Sequence, residues 1–270
     1  MPAAAVLPFR RDRAHGRPSP VGRPSLLLQA VEAPRAVLEY AALVGASPLL
    51  RLAPRGDGSP VVLLPGFTGT DASTLALRTV LRDLGHHAVG WGLGTNVGPT
   101  RHVISGLDRL VGSLADEHGT SVSLVGWSLG GVFARRFAAL RPAEVRRVVT
   151  LASPYRLDDD RRSRAQWVYQ RYAHLHDAAA EIAHGGPAAQ PLTVPSTSVY
   201  TRTDGVVPWD TCVEPETDLA ENVAVPSSHN GLGHHPLAVY VVADRLALAP
   251  GDSSRFRPPL ALRPLYDCRG

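Results

Sequence analysis

Ser128 stands in Gly126-Trp127-Ser128-Leu129-Gly130, between the apolar run Val122-Ser123-Leu124-Val125 and the helix-patterned segment Val132-Phe133-Ala134-Arg135-Arg136-Phe137-Ala138. A serine flanked by glycines where a strand meets a helix occupies a tight turn. The glycines let neighbouring backbone approach, and the hydroxyl is lifted clear of the sheet. The helix N-terminus supplies free N–H groups and a dipole that favour negative charge developing on an acyl oxygen. This is a setting for nucleophilic attack on an acyl carbon. A serine hydroxyl needs a base for that work, and all 28 basic residues of the chain are Arg. The absence of Lys excludes a Ser-Lys pair, a Schiff base and a Walker-type phosphate loop, and it leaves histidine as the base.

A histidine base needs an acid to fix its tautomer and stabilise the imidazolium. Ser198-Val199-Tyr200 leads into Thr201-Arg202-Thr203-Asp204-Gly205, which places Asp204 in a turn just past a strand. The same Asp-Gly pair also suits plain turn formation, so Asp210 and Asp218 are alternative acids. Downstream, residues 222–225 lead into Pro226-Ser227-Ser228-His229-Asn230-Gly231-Leu232-Gly233-His234-His235. His229 comes first after that strand and is the expected base. His234 and His235 lie nearer the final helix, where capping is the alternative role.

Stabilising a tetrahedral oxyanion takes two backbone N–H donors. Leu129, which follows the nucleophile, supplies one by position, and Leu64-Pro65-Gly66-Phe67-Thr68-Gly69 offers the other through Phe67. Phe67, Trp127, Trp209 and Trp167 are the candidate substrate-contacting side chains, with Tyr169 and Tyr172 in the same region as Trp167.

The elements that must position these residues alternate along the chain. Strands are expected at residues 61–64, 87–89, 122–125, 147–151, 198–200 and 222–225, and helices near 72–84, 103–118, 129–140 and 236–248. Apolar runs without strict alternation suit strands buried on both faces of a parallel sheet. The layout is an Arg- and Pro-rich flexible tail over 1–24, a helical segment over 25–59, an α/β domain over 60–249 and an irregular C-terminal tail over 250–270. Residues 25–44 read as one or two amphipathic helices, bent or divided at Pro34. The span 155–195 exceeds an ordinary connection and reads as a cap, helical from 165 to 184.

Taken together, residues 60–248 resemble the α/β-hydrolase superfamily in its bacterial serine esterase and lipase branch. The resemblance rests on Gly126–Gly130, the order Ser128, Asp204, His229, and the glycine-bearing loop after the first strand. The stretch His229-Asn230-Gly231-Leu232 with His235-Pro236 is similar to the histidine loop of bacterial lipase-like members. Many members carry His-Gly where this chain has Pro65-Gly66, and the family's early antiparallel strands are not evident before residue 60. The resemblance implies an α/β-hydrolase fold of about six mostly parallel strands with helices on both faces and a helical cap. It also implies ester hydrolysis through an acyl-enzyme intermediate. Acyl transfer, thioester hydrolysis and a catalytically silent binding protein are the alternatives.

The net charge is +4, and residues 1–24 hold Arg10, Arg11, Arg13, Arg17 and Arg23 against Asp12, so the remaining chain is formally neutral. A nucleic-acid-binding body would keep its basic face within the fold and is therefore not expected. The expected partner is a small-molecule or lipid ester. Neither a metal nor an organic cofactor is expected, and His174-Leu175-His176 and Gly90-Trp91-Gly92-Leu93-Gly94 lack the companions of a metal or dinucleotide site. His102 and Asp108 read as ordinary helix residues. No export signal or membrane span is evident in the sequence, which points to a cytoplasmic protein, with peripheral membrane association through residues 25–44 as a lesser alternative. Cys212 and Cys268 are expected as free thiols, with a bridge between them open.

Overall fold

The computed structural model describes residues 22–157, 163–177 and 187–267. Six strands, β1 (Pro60–Leu64), β2 (His87–Gly90), β3 (Val122–Trp127), β4 (Val145–Leu151), β5 (Ser196–Tyr200) and β6 (Ala220–Ala224), form one sheet in the order β2-β1-β3-β4-β5-β6. Every neighbouring pair is parallel. Each strand therefore ends at the same edge of the sheet, and the loops that follow the strands share one rim.

Seven helices accompany the strands among the described residues: α1 (Leu26–Ala30), α2 (Glu32–Leu50), α3 (Leu75–Asp83), α4 (Arg101–His118), α5 (Leu129–Leu140), α6 (Gln166–Arg171) and α7 (Pro236–Leu246). Successive side chains of β1 face opposite sides of the sheet, and both sides are covered. Val61 and Leu63 join Leu43 of α2, Leu77 and Leu81 of α3 and Val239 of α7 in one core layer. Val62 and Leu64 join Val103 and Leu107 of α4 and Phe133 and Phe137 of α5 in the other. Burial on both faces explains why the strands read as unbroken apolar runs.

Local chemistry sets the helix ends. Thr100 caps α4 by accepting from the Val103 amide at 3.2 Å, and α4 stops at Gly119, whose φ of 62° suits a residue without Cβ. Pro236 opens α7 at a position where no amide hydrogen is needed.

Several details differ from the sequence expectation. The helical segment over 25–44 divides at Val31, not at Pro34, and it continues to Leu50. Pro34 falls in the first turn of α2, where its missing N–H has no partner to lose. Residues 72–84 are a 3₁₀ turn, Asp71–Thr74, followed by α3. The described part of the 165–184 stretch holds only α6 and a 3₁₀ turn at Ala173–Leu175, and the rest of that expectation lies outside the described residues. The flexible tail expected over 1–24 lies mostly outside the described residues, but Pro24 is buried and its carbonyl accepts from Arg164. At the other end, residues 250–267 are more firmly attached than an irregular surface tail. Phe256 and Tyr266 are buried in the first core layer, and Asp267 pairs antiparallel with Ala224. Cys212 is buried and free, whereas Cys268 lies outside the described residues.

Candidate active site

The turn from β3 into α5 carries the serine. Ser128 has φ 51° and ψ −120°, a backbone geometry that costs a residue with a Cβ and persists only where the surroundings enforce it. They do so from both sides. The Ser128 amide donates to Leu151 O at 2.7 Å. A Cβ at Gly126 would lie 2.3 Å from Gly131 Cα, and one at Gly130 would lie 2.3 Å from Leu64 O. The glycines are there because helix and strands pass too close for any side chain.

The loops after β5 and β6 bring Asp204 and His229 to this serine. His229 Nε2 lies 3.1 Å from Ser128 Oγ, and His229 Nδ1 lies 2.7 Å from Asp204 Oδ2. A carboxylate only accepts, so Nδ1 carries the hydrogen and Nε2 is left to take the serine proton. The other Asp204 oxygen, Oδ1, accepts from the Val206 and Val207 amides at 2.8 and 2.7 Å. One carboxylate therefore makes the local turn and orients the histidine. Burial works against the imidazolium, but the charge and hydrogen bond of Asp204, with the charge of Glu32, outweigh it and hold His229 above its ordinary value of 6.5.

The competing histidines are engaged elsewhere. His235 caps α7, accepting from Leu237 N at 3.3 Å, and His234 Nε2 lies 3.1 Å from Ala36 O. Asp218 is exposed ahead of β6, and Asp210 is buried in the 3₁₀ turn Trp209–Cys212.

β1 lies between β2 and β3, so the chain reverses its direction of travel across the sheet at β1. Such a switch point opens a crevice beyond the strand ends. The loop after β1 enters that crevice, with Gly66 so near the serine that a Cβ there would lie 3.3 Å from Ser128 Cβ. Among the described residues, neither Phe67 N nor Leu129 N donates to a protein acceptor. Asn96, fully buried, fixes this loop: Nδ2 donates to Pro65 O at 2.8 Å and its carbonyl accepts from Thr68 N at 2.7 Å.

A cavity of about 310 Å³ lies over Ser128, with Phe67, Trp127, Ala165, Val206, His229 and Asn230 in its wall. Phe67 packs against Tyr169 and Tyr172, with ring centroids 5.5 and 5.9 Å away. The other two candidate contacts lie outside this wall. Trp209 stacks on Tyr200 at 5.6 Å beneath Arg202, and Trp167 is 71% exposed on α6. Among the described residues, a larger depression of about 730 Å³ near Phe256 and Arg263 is lined by no nucleophile with a base.

Sequence reasoning missed Asn96 and the inner face of α2. Arg35 donates to Thr203 O at 2.9 Å and also to Ser227 O, and Glu39 accepts from Ser228 N and Oγ at 2.7 and 2.6 Å. Glu32 accepts from backbone amides of the same two loops. The available signal was three charges at 32, 35 and 39, one face of a helix. Such a face is ordinarily solvated, and here it is turned inward.

No family model matches the sequence, and no curated protein matches it. Solved structures do. Lipase B of Aspergillus fumigatus superposes with a TM-score of 0.55 at 17% identity, over 77% of this chain and 59% of that one. The chain thus spans less than two thirds of that protein's length. The non-heme bromoperoxidase BpoC of Mycobacterium tuberculosis H37Rv superposes with a TM-score of 0.51 at 16% identity, over 72% of this chain and 95% of that one. With its parallel six-stranded sheet, covered faces and serine elbow at the switch point, the chain has the α/β-hydrolase fold.

Proposed function

We propose that the protein is a serine hydrolase of carboxylic esters, in the esterase and lipase branch of its fold. The observation that carries the reading is the continuous relay from Ser128 Oγ to His229 and from His229 to Asp204, at 3.1 and 2.7 Å. Ser128 attacks the ester carbonyl while His229 takes its proton, and Asp204 stabilises the imidazolium. The Phe67 and Leu129 amides receive the developing oxyanion. His229 then returns the proton to the leaving alcohol, and water attacking the acyl-enzyme completes the cycle. Phe67, Trp127 and Val206 give the cavity an apolar wall, which suits an apolar acyl or aromatic group.

The test is labelling by a fluorophosphonate probe, with and without Ser128→Ala. Labelling that depends on Ser128, together with turnover of p-nitrophenyl esters, is expected. Absence of Ser128-dependent labelling in folded protein sinks the reading in favour of a silent binding protein.

A further inference from the structure

We infer that Glu32 is a positioning residue for the Ser128–His229–Asp204 relay, setting the acid turn and the histidine loop at a fixed separation. Its side chain is buried, and its carboxylate accepts from three backbone amides. Oε1 takes Gly205 N at 2.7 Å and His229 N at 3.1 Å, and Oε2 takes Asn230 N at 2.9 Å. Gly205 adjoins Asp204, so one carboxylate grips the chain beside the acid and at the base itself. These two loops leave the paired strands β5 and β6 and are tied to each other near the rim by Thr201 and Thr203, whose hydroxyls donate to Ser227 O at 2.6 and 3.1 Å; Glu32 adds a tie further out, at Gly205 and His229. Arg35 and Glu39 repeat the arrangement one and two turns along, bonding Thr203, Ser227 and Ser228. The charged groups facing His229 are Asp204 and Glu32. Arg35 and Glu39 lie behind them on the neighbouring loop residues, and His234 and His235 follow on the next turn. Glu32 thus adds negative charge on the side where imidazolium forms.

This role rests on the relay proposed above, and the experiment separates the two. The His229 imidazole is titrated by NMR in the wild type and in Glu32→Gln, a change that keeps the shape and removes the charge. A midpoint lowered by a few tenths of a pH unit or more is expected, with a fluorophosphonate labelling rate per folded molecule reduced about tenfold. A merely structural Glu32 would lower Tm and leave both quantities unchanged, and that result overturns the inference. If Glu32→Gln does not fold, Glu32→Asp carries the test. It retains the charge but shortens the reach, so a preserved midpoint with slower labelling supports the role and unchanged labelling refutes it. Wild-type protein that fails to label while its His229 midpoint still responds to Glu32→Gln refutes the hydrolase reading and leaves the positioning role standing.

The opposite face of the same helix carries an independent inference. Leu26, Leu27, Val37, Leu38, Val44 and Leu49 are each 63–73% exposed. On α2 the four exposed members lie away from the inward face, which carries Glu32, Arg35 and Glu39 alongside the buried Leu43 and Leu50, so a second apolar face is left in water. Among described residues 22–57, the exposed charged side chains are Arg23, Arg51, Arg55 and Asp57, the last of which is paired with Arg146 at 3.0 Å. Residues 1–21 add four more Arg and one Asp. We propose that the α1–α2 face docks on an anionic lipid surface, its leucines and valines entering the acyl boundary and the arginines meeting headgroups.

Flotation with phosphatidylcholine vesicles, with and without phosphatidylglycerol, tests this without reference to catalysis. Binding at least about tenfold stronger to the anionic vesicles is expected, with loss of binding in Leu27→Ser/Val37→Ser/Leu38→Ser. Three results overturn it: no vesicle binding, binding unaffected by the triple substitution, or a dimer in light scattering that the same substitution dissociates.

Discussion

Asp204 shows how much one side chain can carry. Its two oxygens divide between the turn amides and His229, so neutralising it disturbs both the loop and the base. Asp204→Asn is expected to lower kcat by about four orders of magnitude, because the amide no longer selects the tautomer with Nε2 free. The sign of the pH dependence follows from His229. Its value is held above 6.5 and only the neutral ring accepts a proton, so activity is lost as pH falls through that raised value. The acid limb of kcat/KM should therefore have its midpoint above 6.5, as measured with a p-nitrophenyl ester. Asn96→Ala removes the tie to Pro65 O while leaving the Thr68 bond to the residue 96 carbonyl in place. A fall in kcat of up to about 10²-fold with little change in KM is expected, as for loosening an oxyanion donor.

At the scale of elements, α2 does work that β-pairing cannot. The sheet fixes β5 beside β6 through their register, but Asp204 and His229 lie past the last paired residues. A helix laid across both loops restores the constraint. The sequence before it has a different dependence. Removing residues 1–21 takes away no residue of the relay, so turnover of a water-soluble ester should be unchanged while flotation with anionic vesicles weakens. Loss of soluble turnover in folded, truncated protein would show that the segment acts on the site itself.

Over the whole molecule, the elbow helix is locked to the rest of the fold by a buried ion pair. Arg135 of α5 meets Glu214 at 2.6 Å with both side chains 1% exposed, and its guanidinium also donates to Ala188 O and Gln190 O. Breaking such a pair leaves an uncompensated buried charge. Glu214→Gln should cost about 3–5 kcal/mol, seen as a fall in Tm on the order of 10 °C. Among the described residues no helix is long and apolar enough to cross a membrane.

The sequence by itself determined the alternating elements, the elbow and the order of Ser128, Asp204 and His229, because each depends on local pattern. Apolar runs mark buried strands, glycines mark close approach, and turn residues mark strand ends. Asp204 was preferred over Asp210 and Asp218, and His229 over His234 and His235, on position after a strand alone. Only the tertiary structure brought His229 within 3.1 Å of Ser128 and gave the other histidines different partners. It also decided what pattern reading inverts. Glu32, Arg35 and Glu39 have the spacing of a solvated face, Trp209 and Trp167 the composition of site aromatics, and Asn96 the look of a loop residue. Their roles depend on which surface each meets, and that is set by contacts between segments far apart in the chain.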